Sequence, residues 1–173
     1  MYGYDLRGKP VTKLAGSGTQ AVVLIFIATD CPISNRYAPE IERLKKEFAG
    51  KPVAFWIVYP NATETSEGVV QHRAAYSLDG ATLVRPSQGL IAEAKATITP
   101  EAAVLIPAGS ALRTVYAGRI DDRYVDIGKE RPRATRHDLE DAVEAVLSHE
   151  SVAPPGGPPV GCGIVSQAAL GKP

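Results

Sequence analysis

An α/β fold built on a buried, mostly parallel sheet is the architecture the sequence predicts, and three observations predict it. Residues 22–28 form a continuously apolar run, rich in β-branched and aromatic types, which suits a strand covered on both faces. Directly after it the spacing changes: Ile33, Tyr37, Ile41, Leu44 and Phe48 recur at intervals of four and three, lining one face of an amphipathic helix. A second apolar run, from Pro52 to Tyr59, then repeats the strand pattern, so the chain alternates strand, helix and strand.

The remaining elements follow in order. Tyr4 to Val11 sets turn residues between short apolar pieces and predicts an edge hairpin ahead of the central strand. Pro60 and Asn61 end the second strand, and Thr65 to Ala75 carries Val69, Val70 and Ala74 on a weak apolar stripe, with Ser66 or Thr63 as cap. Asn61-Ala62-Thr63 also matches a glycosylation acceptor, a weak signal alone. Thr82 to Val84 is a short strand, and Ser87 caps a short helix running to about Lys95. Two strands follow around Ala102 to Ile106 and Leu112 to Ala117, joined by the turn Pro107 to Ser110. The last helix is expected from Arg136 to His149, with Thr135 as its cap.

Two segments are irregular. Ile120 to Thr135 is dense in charge and reads as a solvated loop, although loops of this length usually cover a site. Arg119 and Asp121 are its exceptions, placed at the end of a strand. Ser151 to Pro173 begins with a proline- and glycine-rich stretch that cannot form helix or ladder, so an extended arm is expected. The domain organisation is therefore residues 1–150 as one α/β domain and 151–173 as an arm carrying Cys162 between Gly161 and Gly163.

Composition narrows the function classes. Nineteen basic and nineteen acidic residues cancel, so no net field gathers nucleic acid or anionic lipid. No apolar run is long enough for a helical membrane span, and the first residues lack the pattern of a signal peptide. A leader trimmed before this chain would place it outside the cytoplasm. Two cysteines are too few for a disulfide framework; they are either a redox pair or unrelated. No cofactor is called for.

Cys31 sits where the buried strand ends and the helix begins, ahead of Pro32 at a first helical position. The unpaired N–H groups and positive dipole end there favour an anion, a thiolate included. Free cysteine is also among the most buried residue types, so the local pattern leaves a reactive and an inert thiol both open.

Cys31-Pro32-Ile33-Ser34 followed by Ala38-Pro39 resembles the active-site segment of the thioredoxin superfamily. Thr97 to Ile106 resembles the cis-proline segment of that family. Asp30-Cys31-Pro32, Gly118 to Asp122 and Gly161-Cys162-Gly163-Ile164 together resemble the redoxin branch related to AhpC/TSA peroxiredoxins. The resemblance implies a thioredoxin-like three-layer sandwich with a central mixed sheet, a cis Thr99–Pro100 bond facing Cys31, and Arg119 as a positive neighbour of the thiolate. A partly exposed Cys31 sulfur near the N–H groups of Ile33 and Ser34 is expected with it.

The chain departs from the family in ways that bear on chemistry. Ser34 stands where thioredoxins carry their second cysteine; a hydroxyl can hydrogen-bond a thiolate but cannot displace a mixed disulfide. Ile25 holds the place of the buried proton-accepting aspartate, and Asp30 that of the tryptophan before the cysteine, where its charge works against a thiolate. Ala28 holds the place of the peroxiredoxin threonine. The leading expectation is a thiol redox domain, a thiol–disulfide oxidoreductase or peroxiredoxin-like antioxidant, with Cys31 as nucleophile and Cys162 as resolving thiol within the chain or across a homodimer. Its partners would be a protein disulfide, a small thiol or a peroxide. Two other classes stay open: a copper chaperone using Cys31, Cys162 and one of His72, His137 or His149, and a redox-inactive interaction module.

Overall fold

The computed structural model describes residues 1–165, so residues 166–173 of the expected arm lie outside the described residues. The elements run β1 (Gly3–Tyr4), β2 (Pro10–Val11), β3 (Ala21–Phe26), α1 (Pro32–Glu47), β4 (Val53–Tyr59), α2 (Ser66–Ala75), β5 (Thr82–Val84), α3 (Gln88–Ala94), β6 (Ile98–Thr99), β7 (Glu101–Ala108), β8 (Ala111–Gly118), β9 (Tyr124–Asp126), β10 (Lys129–Glu130), α4 (Asp138–Leu147) and β11 (Cys162–Gly163).

A seven-stranded mixed sheet in the order β2-β1-β5-β4-β3-β7-β8 forms the middle layer. β3, β4 and β5 are parallel, joined by the crossover helices α1 and α2, whereas β7 runs antiparallel to β3 and to β8. β3 is therefore central, with Leu24 opposite Trp56 on one side and Ala103 on the other. All six of its residues are buried, which explains a sequence apolar at every position rather than at alternate ones. The hairpin of β1 and β2 forms the edge the turn residues predicted.

Two cores sandwich the sheet. On one face Val23 and Ile25 meet Tyr37, Ile41 and Leu44 of α1, Val69 of α2 and Leu139 and Val143 of α4. On the other, Val22, Leu24 and Phe26 meet Leu14 and the α3 residues Leu90 and Ala94. The 3.6-residue period of α1 thus has its physical cause in one buried stripe facing the sheet.

Three local expectations are corrected. Thr65, not Ser66 or Thr63, caps α2, accepting the Gly68 N–H at 3.1 Å. α4 begins at Asp138 rather than Arg136, because Thr135 is committed elsewhere: its N–H and hydroxyl both donate to Asp122 at 2.6 Å. The segment 120–135 is not a plain solvated loop either, since it folds into the β9–β10 hairpin and buries Asp121 and Asp122.

Asp122 explains that order. Its carboxylate accepts from Thr135 and from the Arg136 N–H, and Arg131 lies 3.5 Å away. Against the upward push of burial, these donors hold its pKa well below the usual carboxylate range. The sign follows from linkage: with the folded-state value depressed, the contribution is present above the unfolded carboxylate range and is lost as pH falls through it toward the folded value. Asp122→Ala is expected to lower unfolding free energy by about 2 kcal/mol at neutral pH, the scale of losing charge-assisted hydrogen bonds. Urea titration checks this, and a loss that persists undiminished at strongly acidic pH would show that packing, not the carboxylate charge, was removed.

Candidate active site

β3 ends at Phe26, and the chain passes through Ile27 to Asp30 to the N-cap of α1, which is Cys31 itself. The Cys31 carbonyl accepts the Asn35 N–H at 3.0 Å, and Pro32 occupies the first helical position, where a missing N–H costs nothing. No side chain caps this helix, so its N-terminal donors are left facing the cysteine region.

Thr99–Pro100 is cis, as expected, and the Thr99 carbonyl oxygen lies 3.3 Å from the Cys31 sulfur. A disulfide joins Cys31 to Cys162 of the same chain across a sequence separation of 131, with the Cα atoms 6.1 Å apart. The arm is ordered against the domain to make this bond. β11 pairs antiparallel with β6, placing Cys162 opposite Thr99 and Gly163 opposite Ile98. The Thr99 hydroxyl donates to the Cys162 carbonyl at 3.4 Å, and the Ile164 N–H to the Thr97 carbonyl at 3.3 Å.

Anchors on either side of the cysteine hold the arm. Upstream, the Gly156 N–H donates to Asp138 at 2.7 Å. Downstream, Val165 donates to the Asn61 side chain at 2.8 Å and accepts the Ala62 N–H at 2.9 Å. Asn61 is thus buried, with its side-chain oxygen occupied by the arm. Gly161 is required by close approach: a Cβ there would overlap the Thr99 carbonyl, a backbone atom that cannot move aside. Gly161→Ala is therefore expected to prevent the β11–β6 pairing and leave both thiols open to alkylation. A Gly161→Ala protein that still forms the Cys31–Cys162 bond at the wild-type rate would overturn that account.

Not every residue singled out in the sequence reaches the sulfurs. The Cys31 sulfur was expected to be partly exposed, yet Cys31 is 0% exposed, because the arm bonded to it covers it. Nor does it accept hydrogen bonds from the Ile33 and Ser34 N–H groups among the described residues; the Thr99 carbonyl is its polar neighbour. The Ser34 hydroxyl turns to the strand end, accepting the Ala28 N–H at 3.4 Å. Arg119 is directed to Asp138, at 2.7 Å, and lies beneath Gly156 and Gly157, where any side chain would strike its guanidinium. The structure gives Arg119 to the arm's footing.

Several residues near the site carried no sequence signal. Glu64 accepts the Thr29 N–H at 2.8 Å and the Asn61 N–H at 3.2 Å; burial pushes its carboxyl above the ordinary range, and those hydrogen bonds oppose the push. Glu101, next to Pro100, accepts from the Thr97 and Ile98 N–H groups at 2.8 and 3.2 Å and so fixes the backbone that meets the Cys31 sulfur and pairs with Cys162. His72, a candidate copper ligand in the sequence, instead lies between the Tyr59 hydroxyl and the Asn35 side chain, at 2.9 and 2.8 Å, and burial lowers its pKa. Among the described residues the three-ligand group that could hold a metal is Glu40, His137 and Glu140, which contains neither cysteine and is already bridged by Arg43.

An apolar groove of about 250 Å³ opens beside the disulfide, lined in part by Ile33, Tyr124, Ile127 and half-buried Cys162. A larger depression of about 810 Å³ lies at the other end of the sheet, around Gln20 and Val152, away from both sulfurs.

No protein-family model matches the chain, and no curated protein sequence matches it. Solved structures do. A hypothetical protein from Sinorhizobium meliloti 1021 superposes with a TM-score of 0.77 at 26% identity, over 97% of this chain and 91% of that one. The thioredoxin domain of a thiol-disulfide oxidoreductase from Bacteroides vulgatus gives 0.57 at 14% identity, over 85% and 92%. A secreted Mycobacterium tuberculosis disulfide oxidoreductase homologous to E. coli DsbE gives 0.52 at 14%, over 86% and 95%. The fold is thioredoxin-like. In such a fold the Cys31–Cys162 bond joins the N-cap of α1 to β11, the strand paired with the cis-proline segment, and it supports a thiol redox role.

Proposed function

We propose that the protein is a thiol–disulfide oxidoreductase in which Cys31 is the nucleophile and Cys162, delivered by the arm, is its resolving partner. The observation that carries the reading is the disulfide between the N-cap of α1 and a strand paired with the cis-proline segment. In the reduced protein the Cys31 thiolate attacks one sulfur of a substrate disulfide, forms a mixed disulfide and expels the other substrate thiolate. The Cys162 thiolate then attacks the Cys31 sulfur, releasing the second substrate thiolate and leaving the intrachain disulfide. Two electrons pass from the protein to the substrate. Cys162 thus supplies the step that Ser34 cannot.

Thr99 and Pro100 position both sulfurs through backbone contacts, Ser34 holds the strand end that precedes Cys31, and Arg119 secures the arm through Asp138 and the glycines above it. The last assignment favours disulfide exchange over peroxide reduction, because the cation a peroxidatic thiolate would use is engaged with Asp138. The chain keeps redoxin-branch motifs in Asp30-Cys31-Pro32 and Gly118 to Asp122, and we place it on that branch by sequence. An extracytoplasmic setting, where such a bond persists, is supported by the secreted mycobacterial neighbour. The partners are then a disulfide-bearing protein and a thiol donor.

The test is stoichiometric. Reduced protein mixed with a peptide disulfide should release two peptide thiols per chain and end with Cys31 bonded to Cys162; release of none, or a disulfide formed elsewhere, overturns the reading. Hydrogen peroxide in place of the peptide should react no faster than with free cysteine.

A further inference from the structure

We infer that a thiol donor reduces this protein by attacking the sulfur of Cys162 through the apolar groove beside it, with Cys31 as the leaving thiolate. The inference rests on the proposed redox couple and assigns it a direction of approach. Two independent observations carry it.

The first is access. A donor sulfur must reach one of the two disulfide sulfurs, and Cys31 is fully buried beneath the arm while Cys162 is half-buried on the wall of the groove. The second is the fate of the expelled sulfur. Cys31 stands at the N-cap of the sixteen-residue helix α1, whose uncapped N–H groups and dipole favour negative charge at that end. Cys162 lies in a two-residue strand and not at a helix terminus. A disulfide exchanges fastest when the attacked sulfur is accessible and the departing one is the better leaving group, and here both conditions select the same bond polarity.

Electrons and atoms balance in two steps. The donor thiolate RS⁻ attacks Cys162, giving the mixed disulfide R–S–S–Cys162 and the Cys31 thiolate. A second donor thiolate attacks the R sulfur, releasing the Cys162 thiolate and the donor disulfide R–S–S–R. The first step also frees Cys31 from the arm, so the nucleophile is exposed to substrate only after the donor has bound.

The groove states what the donor carries. Its wall is built from Pro32, Ile33, Tyr124 and Ile127, and its one cation, Arg36, is neutralised by Glu130 at 2.8 Å. Ile127 is 74% exposed at the tip of the β9–β10 hairpin, so an isoleucine there buries little in the free protein. The occupant is therefore a thiol borne on an apolar group, not an anionic one.

The test uses the oxidised full-length protein and two thiols of similar basicity, benzyl mercaptan and 2-mercaptoethanesulfonate. After an early acid quench and alkylation of free thiols, peptide mapping should find the benzyl adduct on Cys162 and the alkyl group on Cys31. The reverse assignment overturns the proposal but leaves the redox couple standing. If neither thiol opens the bond under conditions that reduce an unstructured peptide disulfide, both the proposal and the couple fail. In a second arm, Ile127→Ser should slow benzyl mercaptan about fivefold while leaving 2-mercaptoethanesulfonate unchanged, as expected for a lost apolar contact. Equal rates for both thiols in both proteins would overturn the groove as the donor's approach.

Discussion

Cys31→Ser is expected to reduce disulfide-exchange turnover to background, a loss of about a thousandfold or more, because a serine hydroxyl is not ionised at neutral pH and its oxygen forms no stable bond to the substrate sulfur. The companion change separates roles. With Cys162→Ser the first attack survives and the second cannot occur, so the protein should accumulate as a mixed disulfide on Cys31 and release one substrate thiol instead of two. The substitution also detaches the arm covalently, which opens Cys31 to solvent and should make its first reaction no slower than in wild type. The measurement is single-turnover release of a coloured thiol from an aromatic model disulfide. If Cys31→Ser retained a tenth of the wild-type rate, the nucleophile would have to be sought elsewhere. If Cys162→Ser still released two substrate thiols per chain, the resolving role of Cys162 would be wrong.

Much of this site was legible in the sequence because the elements that hold Cys31 are local. The all-apolar run before it and the four-and-three spacing after it each record one environment, a doubly covered strand and a one-sided helix, and their boundary fixes the cysteine at a strand end and a helix start. The proline segment was legible through its resemblance to the cis-proline segment of the thioredoxin superfamily, and Thr99–Pro100 is cis immediately ahead of β7.

What failed to show was long-range hydrogen bonding. Asn61 and Glu64 organise the arm and the Thr29 turn through backbone N–H groups that no spacing rule connects to them. Asp122 looked like one charge among many in a loop, yet it gathers three donors from residues 135 and 136, and Asp121, singled out at a strand end, has a carboxylate that accepts from the Tyr37 hydroxyl at 2.5 Å. Burial raises the pKa of the Tyr37 hydroxyl and of the Asp121 carboxyl alike, so neither residue type announced its position. The Arg119 partner was hidden for the same reason: a guanidinium at a strand end is available to whichever carboxylate the fold brings near, and the fold brings Asp138.

Reduction of the Cys31–Cys162 bond is expected to cost the folded protein roughly 2 to 5 kcal/mol, the upper figure being the loop-closure entropy for so long a loop. With a sequence separation of 131 between the two cysteines, the unfolded chain loses much freedom when they are joined, whereas the folded chain already has its Cα atoms 6.1 Å apart. The lower figure applies if the reduced arm stays docked only in part, because then some native order is lost together with the bond. A thermodynamic cycle makes the number informative about function. Folding and disulfide formation can be completed in either order, so the stability difference between oxidised and reduced protein equals the preference for forming the bond in the native fold over the unfolded chain. Each 1.4 kcal/mol is about a factor of ten in that preference. Urea unfolding of oxidised, reduced and Cys162→Ser protein measures it directly, and the last two should agree within about 0.5 kcal/mol if loss of the bond is the shared effect. A difference below about 1 kcal/mol between oxidised and reduced protein would mean that the fold brings the two thiols together scarcely better than an unfolded chain does. The anchors at Asp138, Thr99 and Asn61 would then fail to deliver Cys162, and the resolving role assigned to it would be wrong.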